Sequence, residues 1–357
     1  MPIPRLSAVL CVSIVSACAT QPSSAPPGSY LCVLDKGAAT LRIVEPNSGH
    51  LKDSVSTGNG PHECAVSPDE ELVVACNYGD GQSAGNTLTV YRFDERRVIA
   101  TIDLAPHGRP HGIAFLSNRR VLVTSETSQA VLEVDVTFNR IVRTIETGAQ
   151  GSHMLVITPD RTRAFTANVH SGTVSALDLE KGTRIATVPT GVQPEGIDVS
   201  PDGKEIWVGH NGDNKLVVLD AHTLAKLGEL ACGPVPIRVK CTWDGKYVLV
   251  SCAHSGELAI VDRAARKELA RVALPHRAVT DPNAPPDAVA SNPVPVGIAV
   301  ESKNRYAYVA LSAADLVAVI DLEKRAVVRT FATGAGPDGL AWMWRRNAPS
   351  FLGDHAR

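Results

Sequence analysis

Pro194-Glu195-Gly196-Ile197-Asp198-Val199-Ser200-Pro201-Asp202-Gly203-Lys204-Glu205-Ile206-Trp207-Val208 decides the fold, because variants of this stretch recur along almost the whole chain. An apolar run, Gly196 to Val199, meets the turn Ser200-Pro201-Asp202-Gly203, where proline presets φ and glycine supplies φ > 0. A second run follows from Glu205 to Val208, a third from Leu216 to Asp220 and a weaker fourth from Ala225 to Leu230. Val, Ile, Leu and Thr alternating with polar residues suit half-buried antiparallel strands. No stretch beyond the N-terminus has a helical period, so the reading is all-β.

The copies open at Pro61, Pro110, Ser152, Pro194, Pro236, Pro295 and Pro337, in steps of 49, 42, 42, 42, 59 and 42 residues. A base period of 42 with four short strands per copy is the mark of a β-propeller blade. Six copies are complete. The seventh supplies only Gly339 to Met343 at the C-terminal end, and the chain's start offers the three missing strands: Tyr30 to Asp35, Thr40 to Glu45 and Leu51 to Ser56. These end in Thr57-Gly58, the pair that also closes other copies at Thr147-Gly148, Thr190-Gly191 and Thr333-Gly334. The expectation is a seven-bladed β-propeller over residues 30–344, its closing blade shared by both termini, which removes the exposed edges of an open sheet. Two insertions, Gly79 to Gly85 and Arg277 to Asn292, are expected on the channel-mouth face, and the tryptophans are expected between blades.

The 357 residues are 44% hydrophobic and 20% charged, enough for one large toroidal domain. With a formal net charge of −2 and no basic block nothing advertises a nucleic-acid or anionic-membrane surface, and a 4% aromatic content argues against a base-stacking groove. Arg5 followed by the apolar Leu6 to Val15 reads as an export signal. Val15-Ser16-Ala17-Cys18 resembles the lipobox of bacterial lipoproteins, which implies removal of residues 1–17 and lipidation of Cys18. Residues 18–29, rich in Pro and Ser, then form a tether, and 345–357 a polar tail with a solvated Arg345-Arg346 pair. The expected location is the periplasmic side of the bacterial envelope, anchored to the outer membrane by lipid alone, as a monomer. An oxidising compartment would let cysteines pair. Cys64 and Cys76 lie on two arms of one hairpin, as do Cys241 and Cys252, while Cys32 and Cys232 have no evident partner, so disulfides and free thiols both stay open.

The repeat register predicts which residues ring the channel mouth. Directly after each opening position come His62, His111, His153, Glu195, Ile237, Val296 and Asp338. At the end of the second strand, sixteen residues after each opening position, come Asn77, Glu126, Asn168, His210, Cys252 and Leu311, with Asp35 at the matching place in the closing blade. One side of the mouth is polar and the other apolar, the usual build of a small-molecule site. Three readings stand. His62, His111 and His153 with nearby carboxylates suit zinc, copper or iron. Alternatively His111 and Glu195 act as general acid and base with Arg109 as an anion clamp, while Asn77, Glu126, Asn168, His210, Asp338 and Asp35 bind ligand. Thirdly, polar residues are simply tolerated at a wet mouth. The functions that follow are a binding or scaffold role toward a small ligand, metal or periplasmic protein; a hydrolase or lyase; or a protein-interaction platform.

Ile197 to Lys204, Ile206-Trp207-Val208 and Leu216 to Asp220 resemble the YVTN-type repeat of bacterial exported propellers across nearly the whole mature chain. Gly60 to Asp69, Ala75-Cys76-Asn77-Tyr78-Gly79 and Arg109-Pro110-His111 are similar to the phosphogluconolactonase-type seven-bladed family. That resemblance implies a lactonase-like or lactone-forming activity with His62, Asn77, Arg109 and His111 in the channel. The later blades lack that family's longer insertions, and an export signal does not suit a cytoplasmic sugar-phosphate substrate.

Overall fold

The computed structural model describes residues 25–276 and 292–345. They form seven four-stranded antiparallel sheets. Each full blade starts at its innermost strand: Pro61–Val66, Pro110–Ser117, Ser152–Ile157, Pro194–Val199, Pro236–Cys241 and Pro295–Val300 in blades one to six. In blade seven the inner strand Pro337–Trp344 pairs with Ser29–Asp35, which leads outward to Thr40–Val44 and Leu51–Ser56. The shared closing blade therefore has the composition the repeats require.

The core lies between blades rather than within them. Leu249, Leu258 and Ile260 of blade five pack on Ile298, Val309 and Ile320 of blade six. Leu31 and Val33 of blade seven pack on Tyr308 and Val319 of blade six. Middle strands such as Tyr247–Cys252 are buried throughout because both faces meet a neighbour, whereas outer strands such as Lys267–Ala273 keep exposed positions. Innermost strands of adjacent blades approach closely: a Cβ on Gly112 would sit 2.4 Å from the Leu155 nitrogen, and one on Gly339 2.3 Å from the His62 oxygen. Glycine at these positions sets the spacing of the strands around the axis.

Some expectations need correction. Trp207 is fully buried and Trp342 stacks on Tyr308, while Trp243 bridges blade five to blade six, its Nε1 donating to the Val300 carbonyl at 3.0 Å, yet stays 57% exposed. The proposed tether is shorter than its composition suggests: Ala25 is buried and its N–H donates to Asn47 Oδ1. Arg345 is not a solvated tail residue, since it pairs with Asp94 and lies over the Phe93 ring, while Arg346 lies outside the described residues. Cys64 pairs with Ala75, which puts Cys76 on the other face of blade one; the two fall in different cores because strand side chains alternate. The Gly79 to Gly85 hairpin does rise at the mouth, where the Gly85 carbonyl accepts from Arg109 N at 2.7 Å and the Asp80 carbonyl from Arg109 Nη2 at 3.0 Å. Cys18 and residues 277–291 of the second insertion lie outside the described residues.

Candidate active site at the channel mouth

Equivalent strand positions in adjacent blades surround one axis, so residues 42 apart become neighbours. The His62 and His111 ring centroids are 5.2 Å apart, and those of His111 and His153 3.6 Å, with their planes tilted by 32°. Tyr78 completes the group, 4.4 Å from His62 and 5.4 Å, edge-on, from His111. The Arg109 guanidinium lies over the Tyr78 ring, 4.8 Å from its centroid.

His153 is held between two carboxylates, with Nδ1 on Glu126 and Nε2 3.4 Å from Glu195. Burial alone would lower its pKa, but the bonds to Glu126 and Glu195 override burial and raise it to about 9. It is an imidazolium at neutral pH, and both carboxylates are held below their usual range by it, against the upward push of burial. His111 is fully buried; burial first, then the charge on His153, push its pKa well down, so it is neutral. His62 is likewise lowered by burial. Its Nδ1 lies 2.9 Å from the Gly60 carbonyl, which fixes the proton there and leaves the Nε2 lone pair free. Tyr78 donates to Glu126 at 2.8 Å, and burial followed by Glu126 raises its pKa to about 12.

Below this layer an ion-pair network closes the channel. Arg238 of blade five crosses the axis to Glu63 of blade one at 2.7 Å and also reaches Glu195 at 3.3 Å and Asp338 at 3.8 Å. Asp338 takes a second cation, Lys36, at 2.9 Å. Sequence reasoning missed Glu63 and Arg238, although a signal existed. They occupy the position two after the opening residue, which is Gly112, Gly196, Gly297 and Gly339 in four other blades. One acid and one base in a largely glycine column, on blades across the ring, mark a pair spanning the axis.

The second ring is displaced by one residue from its sequence expectation. Pro61, Ser152, Pro194 and Pro236 pair with Asn77, Asn168, His210 and Cys252, but Pro110 pairs with Ser125, because the hairpin of blade two is one residue shorter. Glu126 is thus equivalent to Tyr78, Asn211 and Lys36, and these residues face the mouth. Asn211 Nδ2 bonds Glu195, Tyr78 bonds Glu126 and Lys36 pairs with Asp338. A one-residue step turns a strand's side chains to the opposite face. Asn77, Asn168, His210 and Asp35 accordingly lie behind the mouth, each no more than 1% exposed. Asn77 Oδ1 accepts from Gly58 N, and its Nδ2 donates to Thr87 and Thr89. Asn168 bonds Ser152, Thr173 and Ser175 in the same way. Asp35 accepts from Thr40, with its pKa raised to about 6 by burial, and His210 packs against Gly191, pushed down to about 4 by burial.

The ring planes of His62 and His111 are inclined at 58° and those of His111 and His153 at 32°. Among the described residues no group of three or more His, Cys, Asp or Glu side chains is placed to hold a metal ion. The three imidazoles meet in one cluster at the mouth.

Seven blades, a plugged channel and a histidine-rich mouth define a β-propeller with its polar chemistry at one end of the axis. The chain belongs to the family described as Lactonase, 7-bladed beta-propeller, whose sequence pattern matches residues 46–278, more than half of its length. No curated protein matches it. Solved structures share the fold. Kuenenia stuttgartiensis hydrazine synthase aligns with a TM-score of 0.66 at 19% identity over 78% of this chain and 88% of that one. A functionally unknown protein from Desulfotomaculum acetoxidans gives 0.71 at 12% identity, over 88% and 99%. Dihydro-heme d1 dehydrogenase NirN, solved with DHE, gives 0.63 at 15% identity, over 91% and 78%. These likenesses concern architecture.

Proposed function

We propose that the mouth hydrolyses a small cyclic ester by general acid–base chemistry. The observation that carries this reading is a neutral imidazole with a free nitrogen, His62, in one ring cluster with a buried imidazolium, His153, beside a guanidinium on a tyrosine face. Family membership supports the substrate class. His62 Nε2 takes a proton from water as its oxygen attacks the lactone carbonyl carbon. Arg109 stabilises the charge developing on the carbonyl oxygen. The ring C–O bond then breaks, the alkoxide receives the proton from His62, and the new carboxylic acid releases its remaining proton to water, so that the product leaves as a hydroxy carboxylate facing Arg109. The Glu126–His153–Glu195 clamp fixes the ring cluster, and burial, with the His153 charge second, keeps His111 neutral. Export and anchoring through Cys18 remain part of this proposal, supported by the Val15–Cys18 sequence.

The test is a pH-stat assay of purified protein on five- and six-membered lactones, with and without a chelator. Turnover that survives chelation and falls about 10²–10⁴-fold in His62→Gln is expected, the range of general acid–base catalysis. Saturable lactone binding without hydrolysis would replace this reading with a binding role. Palmitate labelling that persists in Cys18→Ala would remove the anchor.

A further inference from the structure

Every blade closes in the same way. The residue after each outer strand donates its backbone N–H to the preceding hairpin, as Thr57, Thr147, Cys232, Leu274 and Thr333 do to Ala39, Gln129, Asn214, Gly256 and Asp315. The loop that follows then meets the last residue of the next blade's second strand. The two positions match in character from copy to copy. Thr57 and Thr147 belong with Asn77 and Asn168, and Thr333 with Asp35, while Leu274 and Leu311 share one apolar core. In one copy both are cysteine. Cys232 and Cys252 sit at these two places, their sulfurs 3.8 Å apart.

We propose that Cys232 and Cys252 form a disulfide that staples blade four to blade five. Thiol sulfurs already in van der Waals contact reach the bonding distance of about 2.05 Å by small side-chain rotations. Gly233 leaves the room: a Cβ there would lie 2.6 Å from Cys252 Sγ. The Arg271 guanidinium faces the same spot, 3.3 Å from that Cβ position, and favours the thiolate that exchange requires. The six described cysteines are all buried, and only this pair has touching sulfurs among the described contacts. In closure the two thiols lose two protons and two electrons and gain one S–S bond, while oxidised glutathione or a protein disulfide is reduced to two thiols. Neither export nor hydrolysis at the mouth is required for this step.

The purified full chain is equilibrated with oxidised glutathione, blocked with N-ethylmaleimide and mapped by mass spectrometry without reduction. The expected result is one cross-linked species joining the peptides of Cys232 and Cys252, lost on adding dithiothreitol, with Cys32, Cys64, Cys76 and Cys241 alkylated after unfolding. Cys252→Ser should leave Cys232 alkylated or as a glutathione adduct. Recovery of Cys232 and Cys252 as separate alkylated peptides from the oxidised parent, or linkage of either to another cysteine, overturns the proposal. Because the decisive map is made on the parent chain, a variant that fails to fold does not blunt the test.

Discussion

At the residue scale, one step along a strand separates structural from functional polarity. Asn77 and Tyr78 are adjacent, yet Asn77 ties blade seven's closing loop to blade one while Tyr78 faces the mouth. Asn77→Ala should therefore cost about 1–3 kcal/mol in denaturant unfolding, the cost of leaving buried partners unpaired. Its effect on ligand at saturation should be small. Tyr78→Phe should do the reverse, keeping the unfolding midpoint and lowering turnover or ligand affinity. His153 gives a second residue-scale prediction. Its folded pKa of about 9 lies above the ordinary histidine value, so its charged pairing stabilises the fold fully below about 6.5 and loses this contribution as pH rises through 9. Thermal midpoints measured from pH 7 to pH 10 should fall, and His153→Gln should flatten that fall; identical slopes for both proteins would contradict the clamp.

At the element scale, the inner strands trade side chains for proximity. Gly339 of blade seven faces the His62 oxygen at 2.3 Å and the Glu63 Cα at 2.9 Å from its missing Cβ, so a methyl there has nowhere to go without moving backbone. Gly339→Ala should destabilise by about 1–3 kcal/mol or more through overpacking and should displace His62, weakening the mouth as well. Unfolding and activity measured on the same preparation check this; a variant at parental stability would mean the blades are not in register as described. The same element logic made the mouth partly legible in sequence. The first ring follows directly from the opening proline, where no insertion intervenes, and His62, His111 and His153 come together. The second ring lies across a hairpin whose length varies by one between copies, and counting residues cannot detect that slip. Glu126 reached the mouth only because blade two is the short one.

At the scale of the whole molecule, closure has two parts: a shared blade at the rim and an ion-pair network across the axis. Arg238 joins blade five to blade one and is surrounded by Glu63, Glu195 and Asp338. Arg238→Met leaves three buried carboxylates without their shared cation and should cost about 3–5 kcal/mol, the range for breaking a buried pair. Adding Glu63→Gln should recover part of the loss, because the carboxylate left closest to the vacancy is then neutral. A double variant no more stable than the single one, by chemical denaturation at pH 7, would show that the network does not act as one unit.

The sequence by itself determined the architecture. A 42-residue period with four apolar runs admits few solutions, and the split seventh copy fixes both blade number and the joining of the ends. It also determined the inner ring of histidines, since that ring depends only on repeat phase. The tertiary structure alone decided which polar residues face ligand and which brace the blades, because strand alternation sends neighbours to opposite faces and a one-residue hairpin difference exchanges their roles. It decided the protonation pattern, because His62, His111 and His153 are the same side chain until burial and two carboxylates set one apart as an imidazolium. Only in three dimensions do Arg238 and Glu63, 175 residues apart, become one bond across the channel.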